Sequence, residues 1–255
     1  KNKNRGHSII ININNNSENS LVWTRGDEVD IIRVKLDKKL NPGEAYTLKM
    51  KYHVVLPDDK FTRYGITNSG DFKIRYWYLA PAVFDEEWKV FSNKDLNDSY
   101  QNPSTFKIKF HTPNYFNLIS DLDLVSEETN DIIKTTQLTG ENRMQVKLQL
   151  IKRSDFSTIE TDKLVVTTNH THKKVTPPIQ ALLIDRIVHY LDKNLGDYPF
   201  DKMVLSEIDY KRNPVYGLNL LPEFISPFPD GFEYDIEMLK IISRTYLENT
   251  LAINP

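Results

Sequence analysis

A chain of 255 residues, 39% apolar and 27% charged, has material for one large globular domain or two modest ones. Its net charge of −2 gives no electrostatic footprint for nucleic acid or an acidic membrane surface, so neither is expected as a partner. The absence of cysteine excludes disulfides, thiolate catalysis and cysteine-rich zinc sites, and no run of about 18 apolar residues offers a membrane span. No signal peptide is visible. The chain begins at Lys1 and stops inside a pattern at Ile253-Asn254-Pro255, so we expect a portion of a longer protein, with any anchor or export signal outside it.

The first two-thirds reads as strands. Residues 7–14 carry Ile9, Ile10, Ile11 and Ile13; residues 29–36 follow, then the turn Asn41-Pro42-Gly43. Over 45–56 the alternation is clearest: Tyr46, Leu48, Met50, Tyr52 and Val54 point one way, Thr47, Lys49, Lys51 and His53 the other. Residues 73–79 are rich in aromatics, and 104–111 alternate through Phe106, Ile108 and Phe110. Stretches 117–125, 131–138 and 144–150 complete the series, with one more strand near 163–168. Strands at this spacing, broken by Pro, Gly and Asn, predict a sandwich-like or saddle-like β assembly.

Past Pro177-Pro178 the period changes. Ile179, Leu182, Leu183, Ile187, Tyr190 and Leu191 share one helical face, Pro178 suits a first turn, and Gly196 suits the stop. A strand over 203–208 follows, then a turn at Asn213-Pro214, a mixed segment over 215–221, a proline-rich loop over 222–233, and a second amphipathic helix over 235–251 with Asp235 and Glu237 in its first turn. The change of period predicts two domains, 1–160 and 161–255, the second the start of an α+β domain.

Candidate chemistry is sparse. His170-Thr171-His172 is the one close histidine pair; on a strand both rings would share a face and could bind a metal, while a solvated linker pair is the plainer reading. His189 and Asp185 read as a surface pair. Glu207 and Asp209, alternating on the 203–209 strand, share a face, but no opposed carboxylate is identifiable, so a structural or cleft-lining role fits better than acid–base work. Trp77, Tyr78, Trp88 and Phe91 could form a binding platform, packing being the plainer role. No nucleophile elbow, phosphate loop or dinucleotide fingerprint occurs.

The order of elements around Leu195-Gly196-Asp197-Tyr198-Pro199-Phe200-Asp201-Lys202 resembles the aminopeptidase N family of zinc peptidases, whose catalytic domain is thermolysin-like. Tyr198 to Lys202 is similar to that family's Tyr-Pro-x-x-Lys stretch, and Tyr216-Gly217-Leu218-Asn219-Leu220 stands in the place of its Gly-x-Met-Glu-Asn segment. The closer likeness is to a divergent branch found in Bacteroidetes-type bacteria. The resemblance implies a β-rich N-terminal domain, the opening part of a catalytic domain, and a peptide cleft bordered by Tyr216, Gly217, Leu218 and Asn219, with Glu207 and Asp209 adding polarity. It also implies His-Glu-x-x-His on a helix, two imidazoles holding zinc and a Glu activating its water. Roughly two dozen residues past Asn219, that frame holds Ser243-Arg244-Thr245-Tyr246-Leu247, and no histidine follows His189. Asn219 itself replaces the Glu that binds a substrate's amine, which removes a charge.

The resulting expectation is a peptidase homologue without zinc chemistry in this span, and without another cofactor, that keeps a scaffold for a peptide or protein partner. Leu239, Tyr246 and Leu247 are expected in the core of the last helix. Two other readings stand beside it: an active zinc peptidase whose ligands lie beyond Pro255, and a structural module of the cell envelope. A periplasmic or cell-envelope location is expected, with a cytoplasmic one as the alternative.

Overall fold

The computed structural model describes residues 6–26, 30–60, 62–90, 101–218, 228–229 and 231–250. In chain order the strands are β1 (His7–Asn14), β2 (Val22–Arg25), β3 (Ile32–Lys35), β4 (Lys49–Val55), β5 (Gly65–Ile66), β6 (Phe72–Ile74), β7 (Val83–Asp85), β8 (Glu87–Lys89), β9 (Ser104–Pro113), β10 (Asn117–Ser120), β11 (Asp123–Thr129), β12 (Ile133–Arg143), β13 (Leu148–Ile151), β14 (Ser157–Glu160) and β15 (Val165–Thr168). Helix α1 (Pro177–Leu195), strand β16 (Lys202–Leu205) and helices α2 (Glu207–Arg212) and α3 (Phe232–Thr250) follow. The chain forms two compact units, one from Lys1–Asp58 and Trp77–Asn102, the other from Asp59–Tyr76 and Pro103–Ala252. Strands dominate, with a short helical part near the end, as the sequence pattern predicts.

The first unit is built from antiparallel pairs: β1 with β4, β2 with β3, and β7 with β8. In β4 the predicted alternation holds, with Met50, Tyr52 and Val54 turned inward and Lys49, Lys51 and His53 outward. Strand β1 has an extra residue between Ile10 and Asn12. Such a bulge reverses the parity of the strand. Ile13 is therefore buried, while Ile9 and Ile11, which a strict alternation would place on the same side, stay exposed. The end of β1 is tied down through Asn15, whose Nδ2 donates to Asp37 Oδ2 at 2.6 Å and whose Oδ1 accepts from the Asn19 amide at 2.9 Å.

The second unit contains three sheets. Strands β10-β13-β6-β5 form an antiparallel sheet, β11-β12-β9 a second, and β14-β15-β16 a third. The expected strand over 117–125 is two strands, because Asp121 and Leu122 turn the chain between β10 in one sheet and β11 in another. The aromatic stretch over 73–79 is strand only as far as Ile74, so Trp77 and Tyr78 lie outside it.

In the third sheet β15 and β16 run parallel, and α1 makes the crossover that parallel neighbours require. Thr176 is the N-cap and proline fills the first turn; Gly196, with φ of +101°, ends the helix in a backbone region that side chains avoid. Helices α1 and α3 bury Ile184, Ile187, Val188, Leu191, Tyr234, Met238, Ile241, Ile242 and Tyr246 against Val166, Met203 and Leu205.

The buried faces of both helices are rotated from those expected. In α1, Gln180, Ile184 and Val188 point inward, while Ile179, Leu182 and Tyr190 are exposed. In α3, Tyr246 is fully buried as expected, but Leu239 and Leu247 are exposed, at 39% and 36%. Both buried faces admit polar residues. Gln180 Nε2 donates to the His170 carbonyl at 3.1 Å, and Asn249 Nδ2 donates to the Thr245 carbonyl at 2.8 Å. Apolar periodicity alone does not reveal such buried amides.

Candidate functional site

Strand β16 ends at Leu205, earlier than the predicted 208. Ser206 then caps α2, its Oγ accepting from the Ile208 amide, and Glu207 and Asp209 occupy the first turn, where the helix dipole favours carboxylates. The two carboxylates therefore do not share a strand face. Two positions apart on a helix, they point about 160° away from each other. Glu207 is half-buried and pairs with the exposed Lys211 at 2.7 Å. Asp209 is buried and 9% exposed.

Asp209 belongs to a charged network inside the second unit. Its Oδ1 accepts from the Tyr64 hydroxyl at 2.9 Å, and its Oδ2 lies 3.4 Å from Lys147 Nζ. Lys147 also faces Glu248 of α3 at 3.5 Å. Glu248 receives Arg75 at 3.1 Å, Arg244 at 2.8 Å and the Gln145 amide at 3.0 Å, and Gln145 Oε1 accepts from Arg75 Nε at 2.7 Å. The network thus joins the segment after β6, the segment before β13, α2 and α3. Arg212 completes the rim by lying over the Tyr64 ring at 4.6 Å.

Lys147 and Glu248 offset each other's burial. Burial alone would lower the Lys147 pKa, but the Asp209 and Glu248 carboxylates outweigh it and raise the ammonium above its ordinary value. Burial likewise pushes Glu248 up, and Lys147, Arg75 and Arg244 together bring its carboxyl far below the usual range. Nearby Asp121, fully enclosed, is shifted the other way: burial raises it, despite Lys147 and the hydrogen bond from the Lys147 amide at 3.0 Å.

A second cluster surrounds His170. The expectation of a solvated pair fails there, because His170 is buried, stacked on Tyr234 at 5.4 Å and 10°, with Nε2 2.8 Å from Glu237 Oε2. His172 is half-buried, and its Nδ1 accepts from the Lys174 amide. Asp185, the expected partner of His189, accepts from the Asp162 amide at 3.3 Å.

Of the other cleft candidates, Tyr216 is 95% exposed, Gly217 has φ of +87°, and Leu218 is buried. Asn219, the 222–227 loop and Phe91 lie outside the described residues. Of the platform residues, Trp77 and Tyr78 make an edge-to-face pair at 5.7 Å, and Trp88 pairs with Phe84 on the β7–β8 hairpin, both 62% exposed. Ser243, Arg244 and Leu247 are on α3: Ser243 half-buried, Arg244 tied to Glu248, and Leu247 exposed. A hydroxyl is a poor zinc ligand, an isobutyl group is none, and a guanidinium has no lone pair to activate water. This donor set does not fit zinc. No group of three or more His, Asp or Glu among the described residues could hold a metal ion.

Sequence reasoning missed Tyr64, Arg75, Gln145, Lys147 and Glu248. Lys147 stands in the apolar and polar alternation Val146-Lys147-Leu148-Gln149-Leu150, where a lysine reads as facing water. Only Arg244 and Glu248, one helical turn apart, carried a local signal.

No family model matches the chain, and no curated protein matches it by sequence. Solved structures match by fold. The M1 zinc metallopeptidase of Deinococcus radiodurans aligns with a TM-score of 0.50 at 16% identity, and a mutant of the M1 enzyme from that organism with 0.51 at 15%. A mutant of a two-domain M1 zinc metallopeptidase bound to L-tryptophan aligns with 0.50 at 15%. Each alignment covers 78% of this chain and 46% of the other, so the chain spans about half the length of these structures. At such identity the likeness establishes the fold.

Proposed function

We propose that the chain is part of an aminopeptidase-N-like peptidase homologue that has lost zinc chemistry in this span and keeps its scaffold to bind a peptide or protein. The observation that carries this reading is the use made of α3. In the frame where the zinc helix would present its catalytic Glu, Arg244 donates from Nε to Glu248 at 2.8 Å, and Glu248 is the hub of the buried network. A side chain engaged in this way stabilises the scaffold and has no part in activating water. The fold likeness to M1 zinc metallopeptidases supports the peptidase-homologue half of the proposal. The assignment to a divergent bacterial branch belongs to the same proposal and rests on the Tyr198 to Lys202 stretch and the altered Gly217-Leu218-Asn219 segment.

In this reading the partner meets the Tyr216-Gly217-Leu218-Asn219 segment through Tyr216 and Gly217, Leu218 being buried, and Glu207 is a further candidate contact. Tyr216 offers an exposed aromatic ring, and Gly217 allows a close backbone approach. Asp209 serves the network and not the partner. The test is hydrolysis of aminoacyl chromogenic substrates with added zinc, alongside peptide binding by the same protein. The proposal expects no chelator-sensitive cleavage, together with peptide binding that weakens in Tyr216→Ala. Cleavage abolished by chelator would favour the active-peptidase reading, and neither cleavage nor binding would favour a purely structural module.

A further inference from the structure

We propose that the outer face of α1 docks an acidic amphipathic helix of a partner protein. The face is a stripe of Ile179, Leu182, Arg186, Tyr190 and Lys193. Their spacing of three and four places them within an arc of about 80°. Ile179, Leu182 and Tyr190 are 52%, 66% and 64% exposed. The inner side of the same helix is filled by Ile184, Ile187, Val188 and Leu191. Helix α1 is therefore apolar on two sides, whereas a helix that ends at solvent needs only one apolar stripe.

Charge decides what covers the outer stripe. The two acids of α1 are engaged by the body of the protein. Asp185 is half-buried and accepts from the Asp162 amide at 3.3 Å; Asp192 is held by Lys163 and by the Tyr246 hydroxyl at 3.2 Å. Arg186 and Lys193 are exposed, and neither has a hydrogen bond or ion pair with the described residues. The stripe thus combines apolar groups with positive charge alone.

The spacing of the two cations selects a helix as the occupant. Arg186 and Lys193 are two turns apart, about 10.5 Å along the axis. Carboxylates two turns apart on a helix packed alongside meet both, while its apolar residues cover Leu182 and Tyr190. A second copy of the chain fits poorly, because two such stripes set cations against cations. An anionic bilayer fits poorly as well, because a chain of net charge −2 gains no long-range attraction to it. The docking does not use the Tyr216 segment.

The experiment uses the 255-residue protein and two synthetic helical peptides, followed by fluorescence anisotropy. One has leucines at three- and four-residue spacing and glutamates two turns apart; the other carries lysine in place of glutamate. Wild type is expected to bind the acidic peptide and not the basic one. Arg186→Glu combined with Lys193→Glu is expected to weaken the acidic peptide by about tenfold or more and to bind the basic one instead. Should the double variant fail to fold, Leu182→Ser serves in its place, with loss of the acidic peptide expected. No binding by wild type, binding that survives these substitutions, or binding lost in Tyr216→Ala overturns the proposal. Co-sedimentation with vesicles of phosphatidylglycerol and phosphatidylcholine, abolished by the double variant, gives the stripe to lipid and overturns it. A concentration-dependent dimer that Leu182→Ser abolishes gives the stripe to a second copy and overturns it too.

Discussion

Arg244 and Glu248 lie one turn apart on α3, Nε to Oε1 at 2.8 Å, and the carboxylate they share with Arg75 and Lys147 is only 14% exposed. Removing that carboxylate leaves buried Arg75 without its main counter-charge and Lys147 with Asp209 alone. Deleting one partner of a buried pair costs about 3–5 kcal/mol. Glu248→Ala is therefore expected to lose stability in that range by urea denaturation. Arg244→Ala should cost well under half as much, because Glu248 keeps Arg75, Lys147 and Gln145. Equal losses in the two variants would show that the network has no hub.

The pH dependence follows from opposite shifts. The Glu248 carboxyl is held below its unfolded value, near about 4.3. The unfolded state then binds the proton first, so this contribution is complete above that pH and is lost as pH falls towards the folded value. Asp121 is raised by burial, so its folded state binds the proton more tightly. Stability tied to Asp121 is complete below its unfolded value, near about 3.9, and declines as pH rises through the folded one. Stability curves against pH should show a shallower acid loss in Glu248→Gln. Asp121→Asn, which keeps the acceptor for the Lys147 amide, should gain relative to wild type at neutral pH. A curve for Asp121→Asn that runs parallel to wild type would remove Asp121 from the account.

Most of this network was invisible in the sequence, for a physical reason. Periodicity reports which face of an element is dry, and it made the strands, α1 and α3 legible. It cannot report a lysine that enters the interior to meet carboxylates from elements 62 and 101 residues away, because the compensation lies in tertiary contacts. The same limit explains α2. Ser206-Glu207-Ile208-Asp209 follows a strong strand and reads as its continuation, although a Ser N-cap followed by acidic residues is also a helix start. The bulge at Ile11 and the rotated faces of α1 and α3 are further cases, the first with one extra residue and the others with buried polar ones.

Ser206 makes a separate, smaller prediction. Its Oγ accepts from the Ile208 amide and from Gln149 Nε2. Ser206→Ala loses the cap and leaves a buried amide donor, so we expect a loss of about 1–2 kcal/mol. Ser206→Thr, which keeps the oxygen, should recover part of it. Thermal denaturation of the three proteins is the check.

Gly140 tests the packing between β12 and the turn after β10. A Cβ built there would stand 2.5 Å from Leu122 Cδ2 and 3.0 Å from Arg143 Cγ, and Leu122 is fully buried. Gly140→Ala should lower stability by about 1–3 kcal/mol through overpacking. Gly140→Ala combined with Leu122→Ala should lose less than the sum of the two separate changes.

The central claim is that α3 is a scaffold helix without zinc chemistry. Equilibrium dialysis of the 255-residue protein against zinc, followed by metal analysis, tests it most directly. The account predicts no stoichiometric zinc, and the same metal content in wild type, Ser243→Ala and Arg244→Ala. One zinc per chain, lost on changing Ser243 or Arg244, would contradict it.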